Sequence, residues 1–171
     1  MNSVVVMGVA GCGKSSLGAE LARSLGWTLI EGDDFHAGAS KAKMREGIAL
    51  TDADRRGWLA TLSGELARHP EGAVLTCSAL KRRYRDQLRA GTPGLRFVFL
   101  DLDEATARQR VAARAAEHLF PPTLVASQFA ALEAPTGEPG VLRVDATGAP
   151  ADLLQQALAW LQSPSPEAPS R

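Results

Sequence analysis

The chain has 171 residues, 45% of them apolar and 22% charged, which suits one globular domain with a real core. Nineteen basic residues balance nineteen acidic ones, so no net field draws in nucleic acid or an anionic membrane, and neither is expected as a partner. Two cysteines without metal-ligand or disulfide spacing, no signal-peptide pattern and no apolar run of membrane-spanning length point to a reduced, cytoplasmic setting.

Residues 3–7 read as a buried strand, followed at once by Gly8-Val9-Ala10-Gly11-Cys12-Gly13-Lys14-Ser15. The pattern G-x-x-x-x-G-K-S between a strand and a helix builds a phosphate cradle from backbone N–H groups. Lys14 reaches the outer phosphates of a nucleoside triphosphate, the Ser15 hydroxyl ligates Mg²⁺, and Ser16 lies in the first helical turn. Leu17, Leu21 and Leu25 at one-turn spacing predict a helix over 14–25, stopped by Gly26. A short strand at 28–30 ends at Glu31-Gly32-Asp33-Asp34, and a helix follows over about 38–46. Thr51 or Asp52 caps a helix to about His69 that carries Trp58, Leu59, Leu62 and Leu66 on one face, as core or as a dimer surface. Residues 73–77 form a third strand, a basic helix runs to about Ala90, and 95–101 form a fourth strand. Asp103 caps a helix through about Ala116, the chain breaks over 117–123, and a further helix covers 124–132. A fifth strand at 141–144, a closing helix at 151–162 with Trp160 turned to the core, and a Pro/Ser-rich tail complete the pattern.

Strands that alternate with helices predict an α/β fold, a five-stranded parallel sheet with helices on both faces. The expected organisation is a single P-loop kinase domain over 1–162 with a mobile lid at about 110–125, then a disordered tail over 163–171. Ligands in such sheets gather at the carboxyl ends of the strands. The only Asn is Asn2, which rules out the Asn-Lys-x-Asp guanine loop of a signalling GTPase, and the chain is short for an ATPase motor. A small-molecule or nucleotide kinase remains.

In Gly32-Asp33-Asp34-Phe35-His36, one carboxylate can orient an acceptor hydroxyl and the other can hold Mg²⁺ waters, or the turn simply caps the next helix. His36 is equally a ligand or a packing residue. Lys81-Arg82-Arg83-Tyr84-Arg85 is a cationic helix start after Ser78-Ala79-Leu80. Lys81 and Arg85 share a helical face and suit an anion, whereas Arg82 and Arg83 face solvent. Lys43, Arg45 and Arg55 are further acceptor-side candidates, with Arg55 equally able to pair with a neighbouring carboxylate. Arg110 and Arg114, one turn apart, suit charge stabilisation on a transferred phosphoryl group. The loop at 145–150, with Thr147 and Pro150, either meets adenine or caps the last helix. Cys12 fills the phosphate loop, and its position suggests activity sensitive to oxidation.

The blocks Glu31-Gly32-Asp33-Asp34-Phe35-His36, Lys43-Met44, Leu50-x-Asp52-x-Asp54-Arg55 and Trp58-Leu59 resemble the gluconate kinase family. So do Cys77-Ser78-Ala79-Leu80-Lys81-Arg82-x-Tyr84-Arg85-Asp86, His118-Leu119-Phe120, Ser127-Gln128-Phe129 and Leu132-Glu133-x-Pro135, in family order from residue 8 to about 150. The resemblance implies transfer from ATP, with Mg²⁺, to the 6-hydroxyl of D-gluconate. It also implies a fold like adenylate and shikimate kinases and a homodimer. Asp33 matches the acceptor-site aspartate, Lys14 and Ser15 match the phosphate and magnesium residues, and Asp33 is a second metal candidate. A cation such as Lys81 would then take the gluconate carboxylate, and Ser78 and His118 join the acceptor set. The chain departs from the family at Ala37, Ser40, Ala49, Gly57 and Leu119, of which Ser40 bears most on polyol contacts. Shikimate kinase, a nucleoside-monophosphate kinase and a nucleotide-binding regulator are the rival readings.

Overall fold

Val4–Met7 forms β1, and all four of its side chains are buried. This follows from its place in the sheet. In the computed structural model, which describes residues 2–114 and 121–164, the other strands are Thr28–Glu31 (β2), Ala73–Thr76 (β3), Arg96–Asp101 (β4) and Val141–Asp145 (β5). The order is β2-β3-β1-β4-β5, with every adjacent pair parallel. Parallel strands need crossover helices on both faces, which is why the central strands read as unbroken apolar runs.

The crossovers are Lys14–Leu25 (α1), Gly38–Arg45 (α2), Asp52–Ala67 (α3), Arg82–Gly91 (α4), Glu104–Ala113 (α5) and Val125–Ala131 (α6), and Pro150–Gln162 (α7) follows the last strand. Side chains alternate across β1. Val4 and Val6 enter one core with Leu21, Val98 and Ala157, whereas Val5 and Met7 enter the other with Trp58, Leu62, Leu66 and Leu88. Trp58, Leu62 and Leu66 are therefore core and not a dimer surface. Leu161 is buried and Trp160 half-buried, with the Arg96 guanidinium 5.3 Å from the Trp160 ring centroid.

Helix bounds follow the sequence closely. Gly26 stops α1 in the left-handed region at φ 67°. Thr51, not Asp52, caps α3: its hydroxyl accepts from the Asp54 N–H while the Asp54 carboxylate accepts from the Thr51 N–H. Among the described residues α5 ends at Ala113, and no helix is long and apolar enough to cross a membrane. Residues 115–120 of the expected lid, His118 included, and the expected disordered tail beyond Pro164 lie outside the described residues.

One expectation is overturned. Arg85 does not share an anion site with Lys81, because its side chain is fully buried. All five of its N–H groups are used within the protein. Nε and Nη2 donate to Glu138 at 3.0 and 2.5 Å, Nη1 to the Ala79 and Leu80 carbonyls at 2.8 and 3.2 Å, and Nη2 to the Glu133 carbonyl at 2.8 Å. Ala79 is the one non-glycine with positive φ among the described residues, at 46°, and Arg85 grips its carbonyl. Burial alone would raise the Glu138 carboxyl, but hydrogen bonds and charge from Arg85 and Arg89 outweigh it and hold the group below its ordinary value of 4.5.

Arg85→Met should lose about 3–5 kcal/mol in urea denaturation, because it strands a buried carboxylate. Arg85→Met with Glu138→Leu should recover most of that loss. A depressed carboxyl gives stability that is present above 4.5 and is lost as pH falls through the folded value. The urea midpoint of the wild type should therefore fall in that acid window more than that of the double variant.

Candidate active site

The phosphate loop joins β1 to α1, and Gly13, which precedes the helix, sits at φ 96° where a side chain would be strained. Lys14 Nζ donates back to the Gly8 and Val9 carbonyls at 3.0 and 3.1 Å, which fixes the ammonium against the loop. Side chains from later elements hold the loop in turn. Arg110 donates to the Gly11 carbonyl and to the Ala146 carbonyl, both at 3.2 Å. The Ala10 N–H donates to Gln128 Oε1 at 2.7 Å, so α6 is tied to the loop. Cys12 and Val9 turn inward and are buried.

Glu31 is a site residue that the sequence reading passed over. It ends β2, and its Oε2 accepts from the Ser15 hydroxyl at 3.0 Å and from the Thr76 hydroxyl at 2.6 Å. The signal was a carboxylate at the carboxyl end of a strand, beside the more conspicuous Asp33-Asp34 pair. Ser15, Glu31 and Asp33 offer hard oxygens that suit Mg²⁺. Among the described residues no group of three or more His, Cys, Asp or Glu is placed to hold a metal. Magnesium in phosphate-transfer sites is commonly held by one or two protein oxygens together with phosphates and water.

The chain then forms a tight 3₁₀ turn at Gly32–Phe35. Gly32 is required by space, since a Cβ there would stand 2.2 Å from the Thr76 carbonyl oxygen. Trp58 Nε1 donates to the Gly32 carbonyl at 2.8 Å and pins the turn from α3. His36 stacks on Trp58, with centroids 4.1 Å apart and planes 18° apart, and its Nε2 lies 3.5 Å from Asp33 Oδ1. His36 is thus both packed and in the site. Its Nδ1 is buried without a hydrogen-bond partner among the described residues.

A cleft of about 130 Å³, roomy beside the ~10–15 Å³ that one water needs, brings the two sides together. Ala10, Gly11 and Gly13 line it from the loop, Lys14, Ser15 and Ser16 from the start of α1, Arg110 from α5 and Arg114 from the C-cap of that helix. Asp33, His36, Arg55 and Ser78 line the opposite side. Lys81 faces an adjoining lobe with Asp52 and Tyr84. Its ammonium is paired with Asp52 at 3.2 Å.

Several expected residues stand elsewhere. Lys43 is paired with Asp54 at 2.9 Å, bracing α2 against the start of α3. The Thr51 N–H first, and then Lys43, lower the Asp54 carboxyl to about 2. Arg45 is exposed and Ser40 is buried within α2, and neither lines the cleft. Both Thr147 donors bond Asp145 and Pro150 opens α7, so this loop meets the site through the Ala146 carbonyl on Arg110. Arg82 and Arg83 are exposed, as expected, although Arg83 also pairs with Asp52.

Residues 4–139 match the protein-family model described as AAA domain. The chain is 41% identical to a gluconokinase of Gluconobacter oxydans, a match that covers 94% of this chain and 91% of that protein. It is 40% identical to the thermosensitive gluconokinase of Escherichia coli, over 90% and 84% of the two chains. The crystal structure of a gluconokinase from Sinorhizobium meliloti superposes with a TM-score of 0.86 at 45% identity, covering 94% of this chain and 91% of that one. The Mycobacterium tuberculosis APS kinase, at 21% identity and a TM-score of 0.68, shares the fold.

The expected oxidation sensitivity of Cys12 meets a physical obstacle. Burial pushes its thiol up, against the pull of Lys14, and a buried thiol is a poor nucleophile. Iodoacetamide at neutral pH should leave Cys12 and Cys77 unmodified in the folded protein and alkylate both in denaturant, as read by mass spectrometry. Activity should survive mild peroxide.

Proposed function

The chain belongs to the gluconokinase family of P-loop kinases, and from that premise we propose that it transfers the γ-phosphoryl group of ATP to the 6-hydroxyl of D-gluconate, giving 6-phospho-D-gluconate and ADP. The observation that carries this reading is the shared cleft, in which Lys14 and Ser15 of the phosphate loop face Asp33 and Arg55.

An alcohol is too weak an acid to ionise at neutral pH, so Asp33 works chiefly by position. Its carboxylate holds the acceptor hydroxyl in line with the phosphoryl group and takes the proton late. His36, fixed on Trp58, orients Asp33 from behind. Lys14 balances the charge that spreads over the transferred oxygens, and Arg110 and Arg114 do so from α5. Mg²⁺, held through Ser15 with Glu31 and Asp33 reaching its waters, would neutralise phosphate charge and fix phosphate geometry. The segment at about 110–125 serves as the lid that excludes water, and the 145–150 loop as the adenine side of the site.

The family likeness also supports a homodimer, and the two free, buried cysteines support a cytoplasmic home. A shikimate kinase, a nucleoside-monophosphate kinase and a regulator are disfavoured by the family match, which runs to gluconokinases over nine-tenths of the chain.

ADP release should depend on D-gluconate and not on shikimate or nucleoside monophosphates. Asp33→Ala should lower kcat by about 10²–10⁴-fold while ATP binding by calorimetry persists. Near-normal turnover in that variant would remove the positioning role. Lys14→Ala should weaken both nucleotide binding and transfer.

A further inference from the structure

The cleft has a second lobe of about 260 Å³, lined by Asp52, Lys81 and Tyr84 among others. Among the described residues Arg55 is the one cation that lines both lobes. We infer that Arg55 is the residue that reads the acceptor's carboxylate, and that it makes this site one for acidic polyols rather than neutral ones. The inference rests on the sugar-acid reading above and deepens it.

Three cations surround Tyr84: Arg55, Lys81 and Arg83 lie 5.6, 5.8 and 5.7 Å from its ring centroid. One carboxylate, Asp52, stands among them. Lys81, Arg83 and the Tyr84 hydroxyl all converge on it. The Tyr84 hydrogen bond first, with Lys81 and Arg83 behind it, holds Asp52 below the usual carboxylate range. Asp52 therefore stays ionised and occupies two of the cations. Among the described residues no carboxylate is paired with Arg55.

The placement of Arg55 is also suited to the task. It lies in the first turn of α3, half-buried, with its backbone N–H on the Thr51 carbonyl at 3.2 Å. The capping box fixes that turn, and the Tyr84 ring supports the guanidinium. A planar fork of donors on an aromatic base matches a carboxylate in two bonds, which an ammonium does not. The reacting hydroxyl and the carboxylate stand at opposite ends of a six-carbon acid. Asp33 belongs to one lobe and Arg55 to the wall shared by both, so the two ends have separate readers on one continuous surface. Lys81 becomes a positioning residue that keeps Asp52 from capturing Arg55.

The test compares D-gluconate with the neutral polyol D-glucitol, using the ratio of their kcat/KM values, together with calorimetric binding of each. Arg55→Ala should raise the gluconate KM about 10- to 100-fold, the scale of a charge-assisted pair, with the ATP KM unmoved. The gluconate-to-glucitol ratio should fall by the same factor, and Arg55→Lys should restore part of it where Arg55→Gln does not. Arg82→Ala removes a nearby surface cation and should leave the ratio alone. An unchanged ratio in Arg55→Ala, with gluconate still turned over, overturns this inference and spares the kinase reading. Arg55-dependent gluconate binding without turnover does the reverse. No binding of gluconate by the wild type overturns both.

Discussion

Thr76 stands where the two halves of the site meet. Its hydroxyl donates to Glu31, whose carboxylate also receives the Ser15 hydroxyl from the phosphate-loop helix. The Thr76 hydroxyl oxygen in turn accepts the Gly32 N–H at 3.3 Å. Its carbonyl leaves no room for a Cβ at Gly32, and its methyl group presses on α1, where a Cβ at Gly18 would stand 2.7 Å away. Donor loop and acceptor turn are thus registered against one residue at the end of β3. The sheet order makes this possible: β3 lies between β1, which feeds the loop, and β2, which feeds the acceptor turn. Parallel strands deliver all their carboxyl ends to one edge, so a single backbone register sets the geometry of the whole site.

The chain's formal neutrality hides an uneven use of charge. Arg85 and Arg89 are spent on Glu138, Lys43 on Asp54, and Lys81 and Arg83 on Asp52. These pairs brace elements against one another. Among the described residues the cations that line the main cleft, Lys14, Arg55, Arg110 and Arg114, are in no ion pair with a carboxylate and can meet an anion. Arg110 meanwhile rests on one backbone carbonyl of the phosphate loop, Gly11, and one of the turn after β5, Ala146. A carbonyl positions a guanidinium without neutralising it, so its full charge stays in the site.

Local signals were legible and distant partners were not. Gly26, the leucine spacing and the Asp103 cap mark helices from within a few residues, and α1 and α5 begin where those signals lie. The choice between Thr51 and Asp52 as cap needed only the reciprocal bond from Asp54, three residues on. Arg85 was misplaced because its partner Glu138 lies 53 residues away, and a cation in the first turn of a helix looks the same whether it is buried or wet. The pairing of Lys43 with Asp54 across a helix boundary was equally out of reach. Glu31 and Gln128 stood in the resembling blocks without a role, because what they do depends on tertiary neighbours, Ser15 and the Ala10 N–H.

The link between α6 and β5 has the composition of a spacer: Glu133-Ala134-Pro135-Thr136-Gly137-Glu138-Pro139-Gly140. Its wiring is the opposite. The Glu133 N–H donates to the Leu80 carbonyl at 2.8 Å, Glu133 Oε1 takes the Arg82 N–H at 2.9 Å, and Glu138 is seated on Arg85. Exposed polar loops are where inserted domains, affinity tags and new termini from circular permutation usually succeed. An engineer who chose by composition would cut here, and would sever the clasp that sets the turn at Ser78 beside the acceptor.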